Sequence, residues 1–189
     1  MMQTRIAAAA ALLVAVFGAG AAHAAAWTVD SARSRLGFTG QQSGEPFTGR
    51  FKTWTAAIDF DPAHPEAGHV SATIGTATAT TGDIQKDEAM PGADWFDASA
   101  FTTATFEATG FAPEGGDAYE TTGKLTLRGV SRNVVVPFTL TITGDQAHAV
   151  GHAKLVRTDF GVGQGAWSSG DMVALDITVD LDLVATKTP

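Results

Sequence analysis

Hydrophobic and polar residues alternate one by one along most of the chain, and this two-residue period predicts β-strands rather than helices. The clearest case is segment 173–183, where every second residue from Val173 to Leu183 is apolar and most residues between them are Asp. One face of this strand is expected to be apolar and the other to face water. Seven further segments have comparable patterns: Arg35–Gln41, Gly49–Phe60, His69–Thr80, Thr103–Phe111, Tyr119–Arg128, Asn133–Thr143 and Ala147–Thr158.

Short turn signals such as Gly115-Gly116-Asp117, Gly129 and Gly144-Asp145 separate several of these segments. Connections of this length join antiparallel neighbours, because a parallel crossover needs a dozen or more residues. Eight such strands with one apolar face close into a barrel or pack as two sheets, and their length favours the barrel. The predicted fold class is therefore all-β, an eight-stranded antiparallel barrel.

One stretch is typical of a helix. Asp83–Ala89 begins with a residue that is favoured at the N-cap, and Pro91 follows its end, with a further turn expected around Asp94–Asp97. A short helical insert around residues 83–97 therefore interrupts the strands. A second irregularity lies near Phe51 to Ile58, where Phe47 and Phe51 fall on one face and Trp54 and Ile58 fall on the other, which predicts a bulge or a strong bend.

The first residues are predicted to be a signal peptide rather than part of the barrel. Residues 1–24 contain Arg5, an apolar run over residues 6–17 and Ala22-His23-Ala24, a small-residue cleavage site. The apolar run is too short to cross about 30 Å of hydrocarbon as a helix. The predicted organisation is a signal peptide over 1–24 and one domain over 25–189.

Composition excludes several classes of function. The chain has no cysteine, so disulfides, thiolate metal sites and cysteine nucleophiles are absent. With 12 Lys and Arg against 20 Asp and Glu, its net charge of −8 argues against a nucleic-acid partner.

The candidate catalytic and metal-binding patterns are weak. Gly161–Ala166 has the spacing of a dinucleotide-binding loop, but the residues after it do not start a helix, so we expect a plain glycine-rich loop. His148 and His152 would lie about 13 Å apart on one strand, too far to share a metal. Acidic residues around the predicted helix are expected to favour its dipole rather than to act as acids or bases. We therefore predict neither catalytic residues, nor a metal site, nor a cofactor. The acidic residues concerned are Asp83, Asp87, Glu88, Asp94 and Asp97.

Six segments extend over almost the whole of residues 25–189. They are Trp27–Asp30 with Leu36–Phe38, Phe47–Phe51, Ile58–Pro62, Asp94–Asp97, Gly123–Val130 and Arg157–Val162. None is specific by itself, but the six in this order resemble the YceI family of exported lipid-binding proteins.

The resemblance implies a lipocalin-like barrel that holds a polyisoprenoid, quinone-like or acyl chain, usually in the periplasm, without catalysis. Arg33 and Gln41-Gln42 stand where many members have His. The Asp94–Asp97 and Gly161–Gly165 segments are similar to a subgroup that is associated with a membrane di-haem cytochrome b. A ligand-free accessory subunit that docks on such a cytochrome is therefore the alternative function, and a homodimer is a further expectation from the family.

Alternation within the strands predicts which side chains line the ligand cavity, and the helical insert is expected to close one end with Trp95 and Phe96. The predicted lining residues from the strands are Phe38, Phe51, Ile74, Phe106, Leu125, Leu127, Phe138, Leu155, Leu175, Ile177 and Val179.

Overall fold

A computed structural model describes residues 25–188. The predicted signal peptide, residues 1–24, lies outside the described residues. No helix within 25–188 has the length and apolar character needed to span a membrane. The chain forms one sheet of twelve strand segments, in the order β1 (Ala25–Val29), β2 (Arg35–Gln42), β3 (Glu45–Phe51), β4 (Trp54–Phe60), β5 (His69–Gly75), β6 (Ala79–Thr80), β7 (Thr103–Thr109), β8 (Ala112–Gly115), β9 (Ala118–Leu127), β10 (Val130–Thr143), β11 (Gln146–Val156) and β12 (Asp176–Lys187). One α-helix, α1 (Ile84–Ala89), lies between β6 and β7, and 3₁₀ helices span Pro65–Ala67, Thr76–Thr78, Arg157–Phe160 and Gly165–Trp167.

The twelve segments combine into eight strands of a closed antiparallel barrel. β1 and β2 both run antiparallel to β12, so together they form one strand that is interrupted between Val29 and Arg35. Three further strands are interrupted in the same way, because the two segments of each lie along one neighbouring strand. They are β3 with β4, β5 with β6, and β7 with β8. Each strand therefore pairs with its neighbours in sequence, and the predicted fold class is confirmed.

The last strand closes the barrel onto the first. In β12, Ala185–Lys187 pairs with β1 and Thr178–Asp182 pairs with β2, while its other edge pairs with β11 along its whole length. The strand begins at Asp176 rather than at Val173, where the alternation first appears, so Leu175 lies just outside it.

The barrel has two different ends. At the insert end lie the β2–β3 turn, the long connection 81–102 with α1, the β9–β10 turn at Arg128-Gly129 and the connection 157–175. At the turn end lie the loop 61–68 and two tight turns, at 116–117 and 144–145. All the long connections except loop 61–68 therefore gather at one end.

The bend predicted near Phe51 to Ile58 is present, and the structure places it between Phe51 and Trp54. β3 ends at Phe51 and β4 begins at Trp54, and Lys52 and Thr53 form a bend between them. Odd-numbered residues face inward in β3, whereas even-numbered residues face inward in β4. The change of parity therefore keeps the apolar residues of both segments inside the barrel.

Hydrogen bonds attach α1 to the barrel. The side chain of Asp83 accepts from the backbone N–H of Lys86 at 3.1 Å, which confirms the predicted N-cap. The Asp87 carboxylate accepts from the Thr80 hydroxyl at 2.5 Å and from the N–H and hydroxyl of Thr81 at 2.6 and 3.0 Å. These donors, the Thr80 hydroxyl first, lower the pKa of Asp87 to about 2. Residues 94–97 form hydrogen-bonded turns rather than a second helix.

Asp87 should make the stability of the protein depend on pH below about 4. Its pKa is about 2 in the folded chain, against an ordinary value of 3.8. Its contribution is therefore complete above the ordinary pKa and is lost as the pH falls through about 2. Asp87→Asn is expected to lower the free energy of unfolding at pH 7, and the difference from the wild type should shrink between pH 4 and pH 2. Denaturant unfolding at each pH measures both proteins.

The control for this experiment is Glu88→Gln, at the neighbouring exposed carboxylate. It removes the same charge from α1, but Glu88 lacks the three hydrogen bonds of Asp87. A loss at pH 7 as large for Glu88→Gln as for Asp87→Asn would contradict the assignment.

Candidate functional site

An apolar cavity of about 250 Å³ lies inside the barrel. Every side chain that lines it is apolar except that of Thr121, whose hydroxyl donates to the backbone oxygen of Gly110 at 2.8 Å. The indole N–H of Trp27 is also used, because it donates to the backbone oxygen of Phe60 at 3.0 Å. Within residues 25–188, no buried side-chain nitrogen or oxygen lacks a hydrogen-bond partner. The cavity therefore offers a ligand apolar contact and no polar anchor.

Small side chains keep the interior hollow. The inward-facing residues of β11 are Ala147, Ala149, Gly151 and Ala153, and Leu155 follows only at its insert end. The inward faces of β4, β5 and β7 add Ala56, Ala72 and Ala104 to the lining. Eight strands leave an interior that larger side chains would fill completely. Around this hollow, inward-facing residues such as Leu140 and Leu183 are only half-buried, although they point away from bulk solvent.

The structure brings most of the predicted lining residues together around this cavity. The eight that line it are Phe51, Ile74, Phe106, Leu125, Leu127, Phe138, Leu155 and Val179. The five that do not line it are Phe38, Trp95, Phe96, Leu175 and Ile177. Whether the eight contact a ligand stays a prediction.

Three of the five excluded residues close the insert end of the cavity. Phe38, Phe96 and Ile177 pack in one cluster with Met90 of the insert. The ring of Phe51 stands between this cluster and the cavity, with its centroid 5.5 Å from that of Phe38 and 5.9 Å from that of Phe96. Phe38 and Ile177 do point inward, but they lie beyond this ring and not beside the hollow.

Leu175 lies outside the cavity for a different reason. It precedes β12 and packs against Gly170, where a Cβ atom would approach the Leu175 Cγ to 2.9 Å. The alternation that includes Leu175 therefore begins before the strand itself, which starts at Asp176.

Trp95 packs at the insert end, against the apolar cluster that contains Val134 and Phe160, beside a buried guanidinium. Its ring centroid is 5.5 Å from that of Trp167 and 5.4 Å from the Arg157 Cζ atom. Only 4% of Arg157 is exposed, and no carboxylate of residues 25–188 lies within salt-bridge distance of it. The guanidinium instead donates to backbone oxygens, which are those of Val162, Gly163, Trp167, Val173 and Ala174. Burial lowers the pKa of Arg157 below its usual value. Arg157 therefore organises the connection 157–175 over the insert end.

The insert is also tied to the neighbouring connections. Arg128 donates from Nη1 to the backbone oxygens of Ala93 and Trp95, at 2.6 and 2.8 Å. The backbone oxygen of Asp94 accepts from the N–H groups of Gly163 and Gln164, both at 2.8 Å. The insert end is thus covered by three connections that hydrogen-bond to one another.

Aromatic rings close the turn end. Phe60 meets Phe111 and Tyr119 edge to face, with centroids 5.3 and 5.6 Å apart, and Tyr119 stacks on Phe138 at 5.7 Å. Trp27 belongs to the same cluster. Rings at these distances prefer such tilted or offset arrangements.

Sequence reasoning missed two groups of lining residues. The small residues of β11 are visible in the alternation, since Ala and Gly occupy its odd positions between outward His, Val and Lys, but alternation alone takes no account of side-chain size. The large residues missed include Trp27 and Leu36, which belong to the broken first strand, and Trp54 and Phe60 of β4. Trp27 was missed because β1 was not predicted as a strand.

The other candidate groups have structural roles. Gly161 ends a 3₁₀ helix with a positive φ, Gly163 lies in the loop after it, and Gly165 begins the short 3₁₀ helix Gly165–Trp167 rather than an α-helix. Hydrogen bonds from Lys86 lower the pKa of Asp83, and that of Asp87 is lowered too, whereas a general acid needs a raised pKa. His148 binds the Asp182 carboxylate at 2.7 Å on the outer wall.

Comparison with known proteins identifies the family. The model of the YceI-like domain matches residues 27–185. The chain belongs to the YceI-like family. A UPF0312 protein of Azotobacter vinelandii is 31% identical over 182 residues, which cover 92% of this chain and 95% of that protein.

Solved structures of two other proteins have the same barrel. BcnA of Burkholderia cenocepacia is 37% identical, with a TM-score of 0.81 over 84% of this chain and 99% of that one. A polyisoprenoid-binding domain from Saccharophagus degradans is 16% identical, with a TM-score of 0.70 over 87% and 99% of the two chains. At this identity, the similarity to the Saccharophagus degradans domain shows a shared fold only.

Gly163 in the loop that covers this YceI-like barrel should be essential for the packing around Arg157. A Cβ atom at Gly163 would overlap the Nη1 atom of Arg157, whereas one at Gly165 would meet nothing within 4 Å. Both glycines have positive φ, 83° and 58°, so alanine is strained at each. We expect Gly163→Ala to lower the free energy of unfolding by about 1–3 kcal/mol more than Gly165→Ala. Denaturant unfolding measures the difference, and equal losses would contradict the role of Arg157.

A substitution at Ala149 should show that the interior is hollow. Ala149 lines the cavity opposite Leu140 and Leu183 in the sheet register. Ala149→Leu is expected to keep or raise the free energy of unfolding of the delipidated protein, by up to about 2 kcal/mol, because the added carbons enter empty space. If the interior were tightly packed, Ala149→Leu would instead lower the free energy of unfolding by about 1–3 kcal/mol. Val150→Leu on the outward face is the control.

Proposed function

We propose that this YceI-like chain is a non-catalytic binding protein that encloses a long apolar chain inside its barrel. The ligand class is an isoprenoid, either polyprenyl or quinone-like, or an acyl chain. The observation that carries the proposal is the apolar cavity that small inward residues keep open between two closed ends. Burial of each methylene contributes about 0.8 kcal/mol, so a few isoprene units supply binding energy without a polar contact.

The lining also argues for the kind of group that stays outside. The hydroxyl of Thr121 and the indole N–H of Trp27 are already hydrogen-bonded. A phosphate or another charged head group in this cavity would lose its hydration without gaining a partner. The apolar tail therefore enters the barrel, and a charged head group stays outside the cavity.

Likeness to other proteins supports the ligand class. The Saccharophagus degradans domain, which is a polyisoprenoid-binding domain, has the same fold over 87% of this chain. The family and this neighbour favour binding over catalysis, and the lowered pKa values of Asp83 and Asp87 are opposite to those of a general acid. The proposal therefore includes no cofactor, and the lipid is the ligand.

The periplasmic location, the homodimer and the membrane cytochrome b partner come from the sequence resemblance and from the signal peptide predicted over 1–24. They stay part of the proposal. The accessory-subunit alternative differs from lipid binding in one measurable way, because it needs no ligand in the barrel.

Native mass spectrometry of protein from the periplasmic fraction of its own source tests the proposed function. We expect the chain that begins near Ala25, with one apolar molecule per barrel that organic solvent extracts. Ala149→Leu should retain less of this molecule, because it fills part of the cavity, while Val150→Leu should retain it fully. A chain that carries no apolar molecule and takes up neither a polyprenol nor a fatty acid would contradict the proposal. If that chain co-purifies with a cytochrome b in mild detergent, the alternative is favoured.

A further inference from the structure

Three cations lie together on the outer wall of the barrel near the insert end. Arg35 is on β2, Arg50 is on β3, and Lys52 follows the end of β3. They line a surface pocket of about 350 Å³ that also includes Thr48, Thr80 and Thr81. No residue of this outer pocket lines the cavity inside the barrel. The outer pocket is therefore a separate feature, and a ligand bound there is independent of the proposed ligand in the barrel.

The sheet register makes the three side chains converge. Arg50 pairs with Gly37 on β2 and with Thr80 on β6. Gly37 has no side chain, and a Cβ atom built on it would lie 3.5 Å from the Arg35 Nε atom, so the side chain of Arg35 extends above this glycine. Lys52 comes two residues after Arg50, in the bend that follows β3, and lines the same pocket. Adjacent strands thus present three positive charges on one small area.

This arrangement is electrostatically unfavourable unless an anion occupies it. Like charges on neighbouring positions of a sheet repel, and the chain has 20 acidic residues that could compensate them. Arg33 and Lys86 do have partners, at 2.7 Å from Asp30 and 3.1 Å from Asp83. By contrast, no carboxylate within residues 25–188 lies within 4.0 Å of the three cations of the outer pocket.

The carboxylates near the outer pocket are engaged by other donors. Asp87 accepts from Thr80 and Thr81, and Asp180 accepts from the Thr39 hydroxyl at 2.9 Å. Asp182, which pairs with Arg35 in the register, binds His148 at 2.7 Å. Asp87 and Asp180 therefore lie beside the outer pocket, but their carboxylates accept from threonines, and no carboxylate within residues 25–188 forms a salt bridge with the three cations.

We propose that the outer pocket binds a phosphate-type oxyanion through Arg35, Arg50 and Lys52. Guanidinium groups donate two parallel hydrogen bonds to such an anion, and an ammonium group adds a charge that adapts its position. The hydroxyl of Thr48 is a further donor, whereas the hydroxyls of Thr80 and Thr81 already donate to Asp87.

The anion can be a free phosphate or the phosphate of a lipid head group, which have the same chemistry. An apolar residue near the outer pocket favours the lipid source. Ile84 begins α1 close to the pocket residue Thr81, and 74% of Ile84 is exposed. An exposed apolar side chain beside cations is typical of surfaces that meet lipid head groups.

Titration with inorganic pyrophosphate at low salt tests the site. We expect amide NMR shifts confined to Arg35 and to residues 48–52 and 80–82. The triple variant Arg35→Gln, Arg50→Gln, Lys52→Gln should raise the Kd by about tenfold or more, since each lost charged hydrogen bond weakens binding. The control triple variant, Lys124→Gln, Lys154→Gln, Lys187→Gln, removes the same charge from exposed positions on three other strands and should leave the Kd unchanged. The proposal would be overturned if no amide shifts appeared or if they were spread over the surface. It would also be overturned if both triple variants raised the Kd equally.

Co-sedimentation with vesicles separates the two sources of phosphate. A lipid head group is the source if the protein binds phosphatidylglycerol vesicles but not phosphatidylcholine vesicles. This binding should be lost in the outer-pocket variant and reduced in Ile84→Ser. Pyrophosphate binding without vesicle binding assigns it to a free phosphate. Vesicle binding that persists in the outer-pocket variant, together with absent pyrophosphate shifts, would overturn the site. Ligand content of the barrel, measured on the same variants, should not change, so this test can fail independently of the proposed function.

Discussion

Pairing of the last strand with the first closes the sheet, and the shape of the interior follows from that pairing. β12 joins β1 and β2 across most of the chain, with Trp27 opposite Lys187 and Phe38 opposite Val179. The chain has no cysteine, so backbone hydrogen bonds and apolar burial hold this closure without a disulfide. A closed sheet of eight strands has a fixed interior width. The volume of the inward side chains then decides whether the interior is packed or hollow, and the alanines of β4, β5, β7 and β11 make it hollow.

A hollow interior is unfavourable for the empty protein. At about 24 cal/mol per Å³, a cavity of about 250 Å³ costs on the order of 6 kcal/mol relative to a filled one. That is comparable with the whole stability of many domains, which is about 5–15 kcal/mol. A single leucine at Ala149 or Ala153 would recover part of it. The small residues are therefore best explained by an occupant that contributes the missing contacts, which is why the cavity rather than any polar residue carries the proposed function.

Local periodicity was sufficient to predict the barrel and most of the lining, because inward and outward positions alternate whatever the rest of the chain does. It identified Phe106 and Leu125, and the parity change after Phe51 identified the bend. It did not give a residue's height along the barrel axis. Phe38 and Ile177 point inward as predicted, yet they lie beyond the cavity because Met90 and Phe96 of the insert pack there. Arg157 begins one of the six segments that carry the family resemblance, but periodicity gave no signal of its role, since its partners are backbone oxygens that any sequence has.

The volume of the cavity limits what the closed barrel can enclose. An apolar cavity of roughly 150 Å³ accommodates benzene, so about 250 Å³ accommodates on the order of ten carbon atoms, or about two isoprene units. A longer chain must displace side chains at one end. At the insert end the ring of Phe51 separates the cavity from Phe38 and Phe96, and at the turn end Phe60, Phe111 and Phe138 both line the cavity and close it. Because the surface of the cavity is almost wholly apolar, we expect the positions of these rings, rather than a head-group contact, to determine which chain lengths the barrel holds.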